Sequence, residues 1–320
     1  MSASLEIFRA LADPTRLRIV ALLRTMELSV GELAQVLGQS QPRVSRHVKI
    51  LCDAGIARRR KEGSWVFLGP GHVERTRPLF QAIDVWQREE ESDHWAVADS
   101  ARLAAVRADR ALSAERYFAA HADEWDAIRS LHIAESEVEA AMRRTLGDRE
   151  IGRLVDIGTG TGRMIELFGP RADHALGIDR SPEMLRLARA KLGSIDASKL
   201  ELRQGDISRL PIADETADTI ILHQVLHYLP APEAAVMELA RVLASDGRLL
   251  IVDFAPHDRE ELRDAHAHAR LGFSDDQIGS WFAAAGLHCD VADELAGGAL
   301  TVKLWVGRKR AEARLKAVSQ

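Results

Sequence analysis

The stretch VDIGTGTGR, residues 155–163, decides the fold of the larger part of this chain. Its first residues are typical of a buried strand, and glycines follow at once. A dinucleotide-binding loop reads G-x-G-x-x-G, but counted from Gly158 the third glycine would fall at Arg163. The pattern present is D-x-G-x-G-x-G, beginning at Asp156. Because glycine has no Cβ, such a loop lets the backbone approach a ligand closely.

Strands and helices alternate from this loop onward. The helix SPEMLRLARAKLG has Ser181 as its N-cap and Pro182 in the first position. A later helix, SDDQIGSWFAAAG, begins with a Ser274–Gln277 capping box. The strands RLVDIG, HALGID, LELRQGD, DTIILHQ and RLLIVDF are separated by helices, which predicts βαβ units and a parallel sheet. HCDVADEL and LTVKLWVGRK then predict a terminal β-hairpin.

Acidic residues follow three successive strands of this series. Asp156 ends the first strand, Asp179 ends the second, and Asp206 lies in QGDI after the third. With the glycine loop, they resemble the class I methyltransferases that use S-adenosylmethionine (SAM), over residues 113–310. The resemblance implies an α/β Rossmann-like domain with a mostly parallel seven-stranded sheet. The alternative is a Rossmann-like domain that binds another nucleotide or nothing.

The resemblance also implies a site for SAM or its product S-adenosylhomocysteine (SAH). Asp156 suits the cationic end of SAM, Asp179 the two ribose hydroxyls and Asp206 the adenine amino group. Tyr117 and Trp125 are candidates for an aromatic cap, although they fit ordinary helix packing equally well. The full set of expected cofactor-binding residues is Asp156, Gly158, Thr159, Gly160, Gly162, Asp179, Arg180, Met184, Gly205, Asp206, Ile207, His223, Tyr117 and Trp125.

Catalysis is a separate question from cofactor binding. His227 and Asp253 are the candidate bases for deprotonating a methyl acceptor, but no motif fixes that role. His266 and His268, at i and i+2, would point to different faces of a helix and form a poor metal pair. Arsenite methylation would need several cysteines, and Cys289 is alone in this part of the chain.

The N-terminal quarter has a different character. Residues 1–78 hold thirteen Lys or Arg against seven Asp or Glu, a net charge of +6, whereas the rest of the chain carries −11. Asp13 caps a helix that Pro14 opens, a short helix runs from Val30 to Leu37, and another follows Gln41. On this last helix Val44, Val48 and Leu51 share one face, and the opposite face is cationic. The charge and the helix polarity predict a nucleic-acid-binding domain.

Two β-rich runs in IARRRKEGSWVFLGP predict a hairpin wing after that helix. The whole stretch from Leu5 to Leu68 resembles the winged helix-turn-helix of ArsR/SmtB-type regulators, an α+β domain. The resemblance implies a homodimer that reads an inverted repeat in double-stranded DNA; the alternative is a winged helix that binds protein. The expected DNA contacts are Gln41, Arg43, Ser45, Arg46 and Lys49 on the helix, and Arg58, Arg59, Arg60 and Lys61 on the wing.

The stretch ELSVGEL, residues 27–33, resembles the metal-binding signature E-L-C-V-C-D-L of that family. Ser29 and Gly31 stand where the thiolate ligands would be, so no thiophilic metal is expected. A zinc site on the following helix would draw on His72, Asp84, Asp93 and His94, whose spacing gives no compact ligand pair. We expect no metal.

The chain of 320 residues has room for two or three domains. We expect a DNA-binding domain over 1–72, a helical linker or dimerisation segment over 73–112, a methyltransferase-like domain over 113–310 and a tail over 311–320. Two cysteines, no apolar run of about 20 residues and no signal peptide suggest a cytoplasmic protein without membrane contact. A stripe of Leu79, Ile83 and Trp86 in the linker either forms the dimer interface or packs within the chain.

Two functions fit these observations. The first is a transcription regulator, a repressor as the ArsR/SmtB resemblance implies. Its methyltransferase-like domain binds SAM or SAH as effector, and it controls genes of the methionine/SAM cycle. The second is an active SAM-dependent methyltransferase that acts on a small-molecule acceptor and carries a regulatory DNA-binding domain.

Overall fold

The computed structural model describes residues 3–62, 65–87, 94–121, 134–193, 195, 198–297 and 300–309. The chain divides into two compact units, residues 1–111 and residues 112–320. In the described parts, no helix combines the length and apolar character that crossing a bilayer requires.

The first unit has the winged helix-turn-helix arrangement. Its elements are α1 (Ala3–Leu11), α2 (Pro14–Thr25), β1 (Leu28–Ser29), α3 (Val30–Leu37), α4 (Gln41–Asp53), β2 (Ala57–Glu62), β3 (Trp65–Pro70), α5 (Val73–Gln87) and α6 (His94–His121), which runs past the unit's end. The three strands form an antiparallel sheet in the order β1-β3-β2. This confirms the predicted helix bounds and the wing.

Local sequence signals explain where the helices of this unit begin and end. The Asp13 carboxylate accepts the Arg16 backbone N–H at the start of α2, as the sequence predicts for an N-cap. Gly38 ends α3 in the left-handed conformation, which glycine adopts without steric cost. On α4, Val44, Val48 and Leu51 are fully buried, which confirms the predicted inner face.

Helix α5 packs within the first unit. The Arg24 guanidinium of α2 lies 2.6 Å from the Asp84 carboxylate of α5 and stacks 4.8 Å from the centre of the Phe80 ring. Ile83 is buried. The start of α6 is tied in as well, because Arg18 of α2 forms a two-pronged ion pair with the buried Asp99. Part of the predicted linker therefore contributes to the core of the first unit.

The second unit is an α/β fold. Its described elements are α7 (Glu135–Leu146), β4 (Gly152–Ile157), α8 (Arg163–Phe168), β5 (Ala172–Asp179), α9 (Pro182–Lys191), β6 (Leu200–Gln204), β7 (Ala217–His223), α10 (Pro232–Val242), β8 (Leu243–Phe254), α11 (Glu261–His266), α12 (Asp275–Ala284), β9 (Leu287–Ala296) and β10 (Thr301–Lys309). The seven strands form one sheet in the order β6-β5-β4-β7-β8-β10-β9.

The sheet matches the predicted topology. Strands β6, β5, β4, β7 and β8 pair in parallel, and β10 runs antiparallel to both β8 and β9. The chain moves outward from β4 to β6 and then returns to β7 on the other side. In an open α/β sheet, the crevice for a ligand lies at such a reversal, beyond the carboxyl ends of the strands.

Both faces of the sheet are buried, as is usual for parallel strands. Leu154, Ile221 and Leu250 belong to one apolar layer, and Val155, Ile220 and Leu249 belong to the layer on the opposite face. This alternation holds the strands rigidly, so the residues just beyond their ends have fixed positions.

The two predicted helix caps of this unit differ. Ser181 Oγ accepts the Met184 backbone N–H, which confirms the N-cap of α9. Ser274 Oγ likewise accepts the Gln277 N–H. The return bond from the Ser274 N–H to Gln277 Oε1, which would complete the predicted capping box, is absent from the hydrogen bonds described for this part of the chain. The capping-box prediction was therefore half right.

Candidate functional site

The loop that follows β4 has backbone conformations that favour glycine. Gly158, Gly160 and Gly162 have φ angles of +66°, +53° and +85°. A Cβ on Gly158 would lie 2.4 Å from Val225 Cγ2, and one on Gly162 would lie 2.6 Å from Leu192 Cδ1. These two glycines are therefore required both by the turn and by the close packing beneath it.

Asp179, at the end of β5, fastens this loop. Its Oδ2 accepts the Gly160 backbone N–H at 2.8 Å, and its Oδ1 accepts the Ser181 backbone N–H at 2.8 Å. Burial raises the pKa of the Asp179 carboxyl, and the backbone N–H groups of Ser181, Gly160 and Arg180 act in the opposite direction. A carboxylate has about four acceptor sites, so beside these three N–H groups one remains that a ribose hydroxyl can use.

Asp156 is buried at the end of β4, and its Oδ2 accepts the Thr159 hydroxyl at 2.6 Å. The predicted cofactor ligands Asp156 and Thr159 thus contact each other directly. A buried carboxylate at this point attracts positive charge, which is the chemistry expected for the cationic end of SAM.

The remaining predicted cofactor residues lie around the ends of β5, β6 and β7. Met184 is buried in the first turn of α9, and Arg180 is exposed beside Asp179. Asp206 is also exposed, and its Oδ1 accepts the Ser208 N–H at 2.8 Å. Of the other three, Gly205 directly follows β6, Ile207 lies three residues beyond that strand, and His223 ends β7.

These residues fit an adenosyl ligand, because a backbone cradle without Cβ atoms stands beside carboxylates at three strand ends. The fit supports the cofactor assignments, which remain predictions for each residue. Trp125 lies outside the described residues. Tyr117 falls in α6, where the structure describes the helix but not this side chain.

His227 and Asp253, the two candidate bases, form a buried pair. His227 Nδ1 lies 2.8 Å from Asp253 Oδ1. Asp253 Oδ2 accepts the His227 backbone N–H at 3.3 Å, and Asp253 Oδ1 also accepts the Phe254 N–H at 2.8 Å. Because a carboxylate at Nδ1 favours the tautomer with its proton there, Nε2 is left as an acceptor.

The pair is surrounded by aromatic rings. The His227 ring centre lies 4.0 Å from that of Tyr228, 4.2 Å from that of His268 and 5.1 Å from that of Phe254. His223, at the end of β7, has its Nε2 3.8 Å from Oε1 of Glu135 at the start of α7. The structure therefore brings the base candidates together, and it adds His268, which the sequence analysis considered only as a metal ligand.

The predicted DNA-binding residues lie on the first unit. Gln41, Arg43, Arg46 and Lys49 are exposed on α4, and Ser45 is half-buried. On the wing, Arg58, Arg59 and Lys61 are exposed as well. In the described part of the chain, none of Arg43, Arg46, Lys49, Arg58 and Lys61 forms an ion pair, so their charge is available to a polyanion.

Arg60 differs from the expected phosphate contact. Its Nη2 lies 2.8 Å from Glu27 Oε2, and its guanidinium stacks 5.3 Å from the centre of the Phe67 ring. Glu27 is buried, and a buried carboxylate needs a charged partner. Arg60 therefore links the wing to the buried Glu27.

Ser29, at the position of a thiolate in metal sensors, has a structural role that the sequence analysis missed. Its Oγ accepts the Glu32 N–H at 3.2 Å, and its own N–H donates to Glu32 Oε2 at 2.7 Å. This is a complete capping box at the start of α3. The S-x-x-E spacing of Ser29 and Glu32 was the available signal. Among the residues that the structure describes, no group of three or more His, Cys, Asp or Glu could hold a metal ion.

Comparisons with known proteins agree with this division. Residues 13–59 match the family described as "Bacterial regulatory protein, arsR family", and residues 155–251 match "Methyltransferase domain". An uncharacterised HTH-type transcriptional regulator of Methanocaldococcus jannaschii is 46% identical over 63 residues, which cover 19% of this chain and 71% of that protein.

The second unit has its own relatives. The uncharacterised methyltransferase YcgJ of Bacillus subtilis is 34% identical over 127 residues, which cover 39% of this chain and 50% of YcgJ. The match therefore spans half the length of that relative. The methyltransferase solved with the Haloferax volcanii Trm112 activator aligns with a TM-score of 0.51 at 21% identity, covering 62% of this chain and 98% of that one, which supports the fold.

The chain therefore belongs to the arsR family of bacterial regulatory proteins through its first unit, and its second unit has a methyltransferase fold that matches the methyltransferase domain family over residues 155–251.

Proposed function

We propose that this arsR-family protein is a cytoplasmic, DNA-binding transcription regulator whose methyltransferase domain binds SAM or SAH as effector. It acts as a homodimer on an inverted repeat, as a repressor of genes of the methionine/SAM cycle. The observation that carries the proposal is the exposed cationic face of α4, which stands in the same chain as a glycine loop fastened by Asp179.

The face of α4 is suited to a major groove. Arg46 and Lys49 are exposed on the side opposite the buried Val44 and Val48, and Arg43 is exposed at the flank. The helix is therefore anchored through one side and presents long cationic side chains on the other. Arg58 and Lys61 of the wing add charge that contacts phosphates without reading bases.

The proposed effector role requires that ligand binding and DNA binding be thermodynamically coupled. A ligand shifts DNA binding only if it binds the DNA-competent and the incompetent states with different affinity. SAM carries a sulfonium charge that SAH lacks, and the buried carboxylate of Asp156 lies at the glycine loop. A site of this kind distinguishes the two ligands by charge, which suits a sensor of their ratio.

Exposed apolar side chains of the first unit support a dimer. Leu5 and Phe8 of α1 and Val85 of α5 are large and exposed. Exposed large apolar side chains are candidates for a surface that a second protein covers, and a second copy of this unit is the partner that a palindromic site requires.

The proposal is tested by fluorescence anisotropy of the full chain on its own upstream DNA, without ligand, with SAM and with SAH. We expect the two ligands to shift the binding curve differently. Arg46→Ala should weaken DNA binding and leave SAM binding intact, while Arg77→Ala, an exposed arginine on α5, serves as the matched control. Equal DNA affinity for Arg46→Ala and wild type would refute the assignment of α4 as the recognition helix.

The effector site has its own variant. Asp179→Ala removes both acceptors that hold the glycine loop and should weaken SAM and SAH alike. Its DNA binding in the absence of ligand should equal that of wild type. If neither SAM nor SAH changes DNA binding in wild type, the effector role is wrong.

A second function, methyl transfer to a small molecule, is favoured by one observation. The His227–Asp253 pair is a fully buried imidazole with a carboxylate at Nδ1, which is the arrangement of a general base. A chain with this pair can combine regulation with catalysis.

A further inference from the structure

The Nε2 atom of His227 is an unusual feature of the second unit. It is buried and has no hydrogen-bond partner among the residues that the structure describes. The opposite ring nitrogen is held by Asp253, which is itself fully buried. A buried acceptor without a partner costs free energy, so it calls for a function that uses it.

We propose that His227 Nε2 accepts a proton from an acidic hydroxyl group, and that the methyl acceptor of this domain is a small planar phenol or enol. This inference rests on the proposal that the second unit binds SAM. It extends that proposal by assigning the substrate class and by giving Asp253 and His268 positioning roles beside the base.

The location of His227 suits this role. Val225, two residues earlier, packs on the glycine loop so closely that a Cβ on Gly158 would lie 2.4 Å from its Cγ2. Gln224, between Val225 and the end of β7, has a φ of +54°, in the left-handed region. Strain of this kind in a non-glycine residue is concentrated at functional sites. The turn that carries His227 is thus built directly against the loop expected to hold SAM.

The need for a base distinguishes the classes of acceptor. A neutral amine attacks a methyl group with its own lone pair and loses its proton afterwards. A thiol has an ordinary pKa of about 8.5 and forms its thiolate readily. A phenol has an ordinary pKa of about 10, and its neutral oxygen is a weak nucleophile. A positioned imidazole therefore contributes most to the reaction of the hydroxyl.

Aromatic rings pack against the His227 ring, and this setting favours a planar acceptor. Tyr228, His268 and Phe254 place their ring centres 4.0, 4.2 and 5.1 Å from that of His227. All three residues are buried. Aromatic walls favour flat, apolar ligands. His268 packs against His227 with its ring tilted by 40°, and we expect this contact to restrict the orientation of the base.

The step balances without a further reactant. The O–H bond of the acceptor breaks, its proton passes to His227 Nε2, and the negative charge of Asp253 stabilises the imidazolium. The oxygen forms a bond to the methyl carbon while the carbon–sulfur bond breaks. The electron pair of that bond stays on sulfur and gives the neutral thioether SAH. Nε2 then returns the proton to water.

The test uses the full chain and 4-nitrophenol, whose phenolate is yellow. In the presence of SAH, at a pH where the free probe is mostly protonated, we expect binding to produce the phenolate band in wild type. His227→Gln should abolish the band because it removes the imidazole. Asp253→Asn should abolish it because Asn favours the His227 tautomer with its proton on Nε2. The matched control is His288→Gln, an exposed histidine on β9, and it should behave as wild type.

The rate of methyl transfer from labelled SAM is then compared for 4-nitrophenol, 4-nitroaniline and 4-nitrothiophenol. This comparison uses the wild-type protein, so it does not depend on whether any variant folds. We expect the phenol to be methylated at least about 100-fold faster than the amine, and His227→Gln to lower its rate by about 100-fold or more. SAM affinity of the variants, measured by calorimetry, should stay within about twofold.

The outcomes separate the two proposals. Methylation of the amine or the thiol in preference to the phenol overturns the substrate class. SAM binding without a phenolate band and without transfer to the phenol overturns the base, and the His227–Asp253 pair is then structural. Absence of SAM and SAH binding refutes the proposed cofactor site itself, and the acceptor proposal falls with it.

Discussion

Replacing Gly158 by alanine tests the contact between the glycine loop and the turn that carries His227. The new Cβ would lie 2.4 Å from Val225 Cγ2 and 3.0 Å from Val225 Cγ1, and the backbone φ of +66° would stay unfavourable for alanine. Val225 is β-branched and has few alternative rotamers. The clash therefore has to be relieved by movement of the backbone on one side or the other.

The cost is the sum of two effects. The left-handed conformation costs a residue with a Cβ about 1–2 kcal/mol, and forced overlap in a packed region costs about 1–3 kcal/mol. Together these predict a loss of about 2–5 kcal/mol in the free energy of unfolding. Val225→Ala in the same chain removes both clashing methyl groups and leaves only Val225 Cβ, at 3.3 Å. The double variant should keep the conformational cost and lose the overlap.

Native-state hydrogen exchange of the β4 and β7 amides measures this free energy for the second unit alone. We expect a favourable coupling of about 1–3 kcal/mol between Gly158→Ala and Val225→Ala in a double-mutant cycle. SAM affinity, measured by calorimetry, should fall for Gly158→Ala and recover in part in the double variant. Additive losses in the cycle would show that the two residues do not contact, and the placement of His227 beside the cofactor loop would lose its support.

Three further predictions concern single contacts. Arg60→Ala should lower the stability of the first unit by about 1–3 kcal/mol in urea unfolding, because it removes the arginine partner of a buried carboxylate. Arg58→Ala should instead weaken DNA binding and leave stability unchanged. Ser29→Ala should cost about 1 kcal/mol, measured in the same way, through loss of the α3 cap. The hydrogen bond from Arg241 lowers the pKa of Glu238, so the pair stabilises the fold above the ordinary glutamate pKa of about 4.3 and loses that effect as the pH falls through the lowered pKa. Glu238→Gln should therefore flatten the acid limb of a stability-against-pH curve, and an unchanged limb would contradict this assignment.

The sequence predicted elements well where one periodic pattern determined them. The buried face of α4 followed from the spacing of Val44, Val48 and Leu51, and all three are fully buried. The parallel sheet followed from apolar strands between helices, and the glycine loop followed from Gly158, Gly160 and Gly162, whose positive φ angles explain their presence. In each case, neighbours along the chain carried the information.

Contacts between distant residues were harder to predict. Arg60 was one cation among four on a predicted wing, and its buried partner Glu27 lies 33 residues away. His227 and Asp253, 26 residues apart, were named as separate candidates, and their pairing depends on the register of β7 beside β8, in which His223 lies opposite Val252. The spacing of residues along the chain gives no information about the register between two strands.

At Ser29 the first unit keeps the winged helix-turn-helix fold but lacks the thiolate ligand that metal sensors have at this position. A thiolate at this position would serve a metal, but the serine completes a capping box that stabilises α3 through Glu32. Helix α3 precedes the proposed recognition helix, so the residue still supports DNA binding while it gives up metal coordination. In the proposed function the signal comes instead from the second unit, where Asp179 accepts a hydrogen bond from the glycine loop. Replacing Ser29 by cysteine should therefore cost stability through the lost cap and leave the response of DNA binding to SAM and SAH intact, and a response to thiophilic metal without the second change at Gly31 would contradict this account.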